Sequence, residues 1–130
     1  MRIVIDTSAL IAVITNEPHK KAIVNITQGI DLIAPTSIPC EIANAFSAMF
    51  KQKRISLKDS LKCVEEYMKI PIRFFDLDLK KSIEISFKHN IYAYDALLIS
   101  CCLSNDAPLL TLDMKLLEKA KEAGVKTLEV

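Results

Sequence analysis

Histidine and glycine each occur only twice in these 130 residues, and tryptophan is absent. With His19 and His89 alone, a zinc centre or a Ser-His-Asp triad lacks material. Cys40, Cys63, Cys101 and Cys102 contain no C-x-x-C pair. Neighbouring cysteines on a helix point about 100° apart, so they neither share one metal nor close an easy disulfide, and all four read as small buried apolar residues. The longest apolar run, Ala9 to Ile14, is six residues, far below the ~18 of a membrane helix. Arg2 is followed at once by Asp6 with no small-residue cleavage site, which excludes a secretory signal and makes the cytoplasm the expected location. An excess of one charge is also missing. Seventeen basic residues face sixteen acidic ones, a net +1, so nucleic acid or anionic membrane must be held by a local patch.

What is present is apolar: hydrophobic residues make up 51% of the chain, and only 2 Gly and 5 Pro interrupt it. A disordered chain is excluded, residues 1–130 make one domain, and the apolar surplus points to a covered partner surface. Arg2 to Ile5 has the β-branched look of a central parallel strand. Thr7 or Ser8 can cap a helix through Ile14, and Pro18 opens a second through about Gln28, stopped by Gly29. A strand at Asp31 to Ala34 leads into a long helix opened by Thr36, Ser37 and Pro39, whose partner is capped by Ser56 and runs to about Lys69. Strand Ile72 to Phe75, a helix from Asp78 to His89 and an apolar helix from Tyr94 to Leu103 follow. Strand Leu109 to Thr111, a helix between Asp113 and Gly124 and an edge strand in Val125 to Val130 complete the chain. This alternation predicts a three-layer α/β sandwich: a parallel sheet with right-handed crossovers and helices on both faces.

Open parallel sheets bind ligands beyond the carboxyl ends of their strands. Four acids fall there: Asp6 after the first strand, Glu41 entering the long helix, Asp95 opening the apolar helix and Asp113 after the fourth strand. Taken singly, Asp6 and Asp113 also read as helix caps and Glu41 as a first-turn acid favoured by the helix dipole, while Asp95, opening an otherwise apolar stretch, is harder to dismiss. Together they repel, and such a cluster suits a hard divalent ion, Mg²⁺ or Mn²⁺, with metal-assisted phosphodiester hydrolysis as the implied chemistry. Ser8 could hold a water or a phosphate oxygen, and Asn44, three residues after Glu41, shares its helical face.

Val4-Ile5-Asp6-Thr7-Ser8, Glu41-Ile42-Ala43-Asn44-Ala45, Tyr94-Asp95-Ala96-Leu97 and Leu110-Thr111-Leu112-Asp113, in this order, resemble the PIN-domain nucleases, most closely the VapC-type toxin ribonucleases. The resemblance covers the whole chain. It implies a five-stranded parallel sheet and divalent-metal-dependent cleavage of single-stranded or structured RNA. Asp6, Glu41, Asp95 and Asp113 would be the catalytic and metal-site acids, with Ser8 and Thr111 as supporting hydroxyls. A homodimer and a small antitoxin whose helix enters between the helical arms are implied as well. Two other readings stay open, an RNA-processing or decay nuclease without an antitoxin and a PIN-like scaffold that binds without cutting.

Residues 46–69 hold Lys51, Lys53, Arg54, Lys58, Lys62 and Lys69 against Asp59, Glu65 and Glu66. Lys51, Lys53 and Arg54 at the tip of this helical hairpin could touch an RNA backbone, or form an ordinary solvated turn. Phe46, Met49, Phe50, Tyr67 and Met68 on the same hairpin read first as core.

Overall fold

The computed structural model describes residues 1–130. Five parallel strands form one sheet in the order β3-β2-β1-β4-β5. They are β1 (Arg2–Ile5), β2 (Asp31–Pro35), β3 (Ile72–Phe75), β4 (Leu109–Leu110) and β5 (Thr127–Leu128). The first strand is central because Ile3, Val4 and Ile5 are all buried and can be covered from both sides. It pairs with β2 on one side and β4 on the other, Val4 lying opposite both Ile33 and Leu109. The chain therefore winds outward from β1 in both directions, and the strand order reverses between β1 and β4.

Helices α1 (Thr7–Ile14), α2 (Lys20–Thr27), α3 (Ile38–Lys51) and α4 (Leu57–Met68) link β1 to β2 and β2 to β3. Helices α5 (Leu79–His89) and α6 (Ala93–Asn105) return the chain to β4, and α7 (Met114–Glu122) leads to β5. The core joins the strands to Leu10, Ile23, Ile38, Ile42, Phe46, Ile99 and Leu116. Seven consecutive residues of α6, Ala96 to Cys102, are buried. No helix is long and apolar enough to cross a membrane.

Several boundaries differ from the sequence reading. Asp6, rather than Thr7 or Ser8, caps α1: it keeps extended geometry and accepts the Ala9 N–H, while Thr7 is already helical. The second helix starts at Lys20, since residues 17–19 form a turn closed by Lys20 N–H to Glu17 O at 3.0 Å. The apolar helix continues to Asn105, where Asp106 takes the left-handed conformation (φ 47°). The last two strands are only two residues each, shorter than expected. Cys101 and Cys102 are buried, but Cys63 is half-buried and Cys40 exposed. Cys40 stands two positions from both Ile38 and Ile42, whose side chains enter the core, so it faces about 200° away from them. Of the hairpin residues read as core, Phe46 is buried and Met49 and Tyr67 are half-buried, while Phe50 and Met68 are exposed.

Candidate active site

Asp6 leaves β1 at the strand-order reversal and is only 4% exposed. Its Oδ1 accepts the Ala9 N–H (3.0 Å) and the Ser8 hydroxyl (2.8 Å). Its Oδ2 accepts the Thr111 hydroxyl in a short hydrogen bond. Each hydroxyl gives its one proton to Asp6 and takes an amide proton from the turn after β4: Leu112 N–H to Ser8 at 2.9 Å, Asp113 N–H to Thr111 at 3.0 Å. The pairing of β1 with β4 makes this possible by bringing residues far apart in sequence to one sheet edge. Burial pushes the Asp6 carboxyl up; the bonds from Thr111, Ala9 and Ser8 oppose that, and the charge of Asp113 adds to it.

Glu41 lies in the first turn of α3 and reaches toward α1, where the Thr7 hydroxyl donates to Oε1 (3.3 Å). Oε2 is buried with no hydrogen-bond partner. The Ser37 hydroxyl faces this carboxyl and lowers its pKa, yet sits outside hydrogen-bond geometry and is itself buried without a partner. Burial dominates and pushes Glu41 up to about 7, with the charges of Asp6 and Asp95 adding to the effect. Asp95, in the first turn of α6, is also raised, by burial and then by Asp113. Asp113 is exposed and caps α7, its Oδ1 accepting Lys115 N–H (3.0 Å) and Leu116 N–H (3.2 Å). Capping and membership of the acidic group thus coexist in Asp6 and Asp113.

The structure therefore brings Asp6, Glu41, Asp95 and Asp113 near enough for each to feel another's charge, with Ser8 and Thr111 directly on Asp6. As the side chains stand, no three converge tightly enough to enclose one ion. The donor set nonetheless consists of hard oxygens, and one buried carboxylate oxygen has no partner, which matches what a divalent cation takes. Asn44 is exposed and outside this hydrogen-bonded group. Lys51, Lys53 and Arg54 are exposed at the hairpin tip, ten or more residues beyond Glu41 and so about 15 Å along α3. Sequence reading missed Thr7 as the partner of Glu41 and Ser37 as its buried neighbour; hydroxyls flanking Asp6 and opening α3 were the available signal. A cleft of about 860 Å³ lies elsewhere, at the opposite sheet edge between Arg2, Asn105, Lys121 and Lys126.

Comparisons with known proteins agree with the fold. No curated protein matches the sequence. Among solved structures, PAE2754 from Pyrobaculum aerophilum superposes with a TM-score of 0.75 at 18% identity, over 98% of this chain and 83% of that one. VapBC2 from Rickettsia felis, bound to a DNA fragment from its promoter, gives 0.72 at 12% identity over 98% of both chains. Mycobacterium tuberculosis VapC20, a sarcin-ricin loop cleaving toxin, gives 0.65 at 10% identity, again over 98% of both. The PIN domain family model matches residues 3–122, spanning all four acids and every strand but the last, and the chain belongs to the PIN domain family.

Proposed function

We propose that residues 1–130 form a single divalent-metal-dependent endoribonuclease domain that hydrolyses phosphodiester bonds in single-stranded or structured RNA. The observation that carries this reading is the buried, unpartnered Oε2 of Glu41 among carboxylates that repel one another at the strand-order reversal. Asp6, Glu41, Asp95 and Asp113 would hold Mg²⁺ or Mn²⁺. The ion offsets charge developing on the phosphoryl oxygens and acidifies a water for attack. The chain's own groups then divide the work. Burial raises the Asp6 carboxyl, and the hydrogen bonds from Thr111, Ala9 and Ser8 that fix it oppose that rise. Glu41, which burial raises to about 7 in the metal-free protein, would be held charged by the ion it binds. Exposed Asp113, anchored through one oxygen at the α7 cap, keeps Oδ2 free.

The domain acts in the cytoplasm as the homodimeric toxin of a toxin-antitoxin pair. Similarity to VapBC2 and VapC20 supports the antitoxin and the structured RNA substrate. Exposed Leu79, Ile83 and Phe87, one stripe on α5, support a covered dimer face, and exposed Leu57, Leu61 and Met68 on α4 support antitoxin docking. The test is cleavage of end-labelled RNA by purified protein. Turnover is expected with Mg²⁺ or Mn²⁺, little with Ca²⁺ and none in excess EDTA. Undiminished cleavage in EDTA by a nuclease-free preparation overturns the metal assignment, and no cleavage with any ion overturns the activity.

A further inference from the structure

We propose that Tyr92 and Tyr94 form a stacking platform for unpaired nucleobases at the rim of the acidic site. The chain holds three tyrosines, and two of them stand in the three residues before Asp95. Tyr92, the N-cap of α6, is 88% exposed, and Tyr94 in its first turn is 58% exposed. Neither hydroxyl forms a hydrogen bond to the protein, and neither ring joins the core, although α6 behind them is buried from Ala96 to Cys102. Water is a poor neighbour for two aromatic rings, and their placement beside an acid of the cluster fits a flat apolar ligand delivered to that acid.

The charge around them fits a polyanion. The helix leading to the rings, α5, exposes Lys80, Lys81 and Lys88 against Glu84 and the N-cap Asp78, and Lys88 lies in its last turn, beside the α5–α6 link. A row of cations followed by exposed rings is the arrangement by which single strands are held: lysines follow the phosphates and rings take the bases without regard to identity. Paired bases keep their faces covered by neighbours, so the platform selects single strands and loops over duplex. This inference rests on the ribonuclease reading and assigns its substrate contact to the start of α6 rather than to the lysine hairpin.

The test uses the full chain in Ca²⁺ and a single-stranded oligoribonucleotide carrying 2-aminopurine, whose fluorescence falls on stacking. Parent protein should quench the probe on binding and should bind the matching duplex more weakly. Tyr92→Ala and Tyr94→Ala should each weaken binding about 5- to 150-fold and reduce the quench, while Tyr92→Phe and Tyr94→Phe restore both. In Mg²⁺ the alanine variants should raise KM with little change in kcat. Cleavage by the parent is scored separately, so failure of the nuclease reading leaves the quench to decide the platform. Alanine variants that bind and quench like the parent overturn it. So do alanine variants that shift the sedimentation coefficient while keeping RNA affinity, which would place the rings in a protein interface.

Discussion

Thr111 and Ser8 do more than decorate Asp6, because each links the end of β1 to the turn after β4 through a hydroxyl that both gives and accepts. Thr111→Val keeps the shape but leaves the Asp6 Oδ2 with the Ser8 hydroxyl alone (3.0 Å) and strands the Asp113 N–H. A loss of about 1–3 kcal/mol is expected, measured by urea unfolding. Asp95 has the opposite balance. It forms no side-chain hydrogen bond, and burial and Asp113 both disfavour its charge. Asp95→Asn should therefore raise the melting temperature of metal-free protein while abolishing cleavage; cleavage at the parent rate would remove Asp95 from the site. Glu41 sets a pH dependence. Its folded pKa, about 7, lies above the ordinary glutamate value of 4.5, so between these values the folded state holds more protons than the unfolded one. Its contribution is fully present below about pH 4.5 and is lost as pH rises toward 7. Metal-free protein should lose stability across that window, and Glu41→Gln should flatten the slope.

The four acids were legible in the sequence because each follows a strand or opens a helix at one sheet edge. The bonds that organise them were not, since the Thr111–Asp6 contact depends on β4 lying beside β1, and no local pattern encodes that neighbour. Elements followed the same division. The helix α5 was readable from its ends, where Asp78 accepts the Lys81 N–H and Asn90 adopts φ 52°. The last strand was less so, since of Val125 to Val130 only Thr127–Leu128 pairs, whereas β4 falls just one residue short of the expected Leu109 to Thr111. The α3–α4 hairpin gives two element-level expectations. If Lys51, Lys53 and Arg54 touch phosphates, each change to Ala should reduce the slope of log affinity against log salt by about 0.7 for a single strand. An unchanged slope in RNA titrations would assign the tip to solvent. Lys53 also has φ 59°, a conformation that costs a side-chain-bearing residue about 1 kcal/mol. Lys53→Gly should therefore remove the charge without loosening the turn, separating electrostatics from structure in the same titration.

At the scale of the whole molecule, the apolar surplus noted in the composition falls partly on the outside. Leu79, Ile83 and Phe87 recur every four residues on α5 and are 61%, 65% and 80% exposed. Ile83→Asp should convert a dimer to a monomer in sedimentation while changing the protomer's own stability by no more than about 0.5 kcal/mol. A dimer that survives this change places the interface elsewhere.

The bond from Thr111 to Asp6 spans 105 positions of the chain, and that separation has a consequence in time. At a synthesis rate of about 5–20 residues per second, roughly 5–20 s pass between translation of the first acid and of the hydroxyl that fixes it. Asp113 and the whole of α7 come later still. A nascent chain on the ribosome, surrounded by RNA, thus carries three of the four acids without the strand that completes their edge. The edge that gathers the acids is therefore completed only once Thr111 and Asp113 have been made, a delay written into the order of the strands.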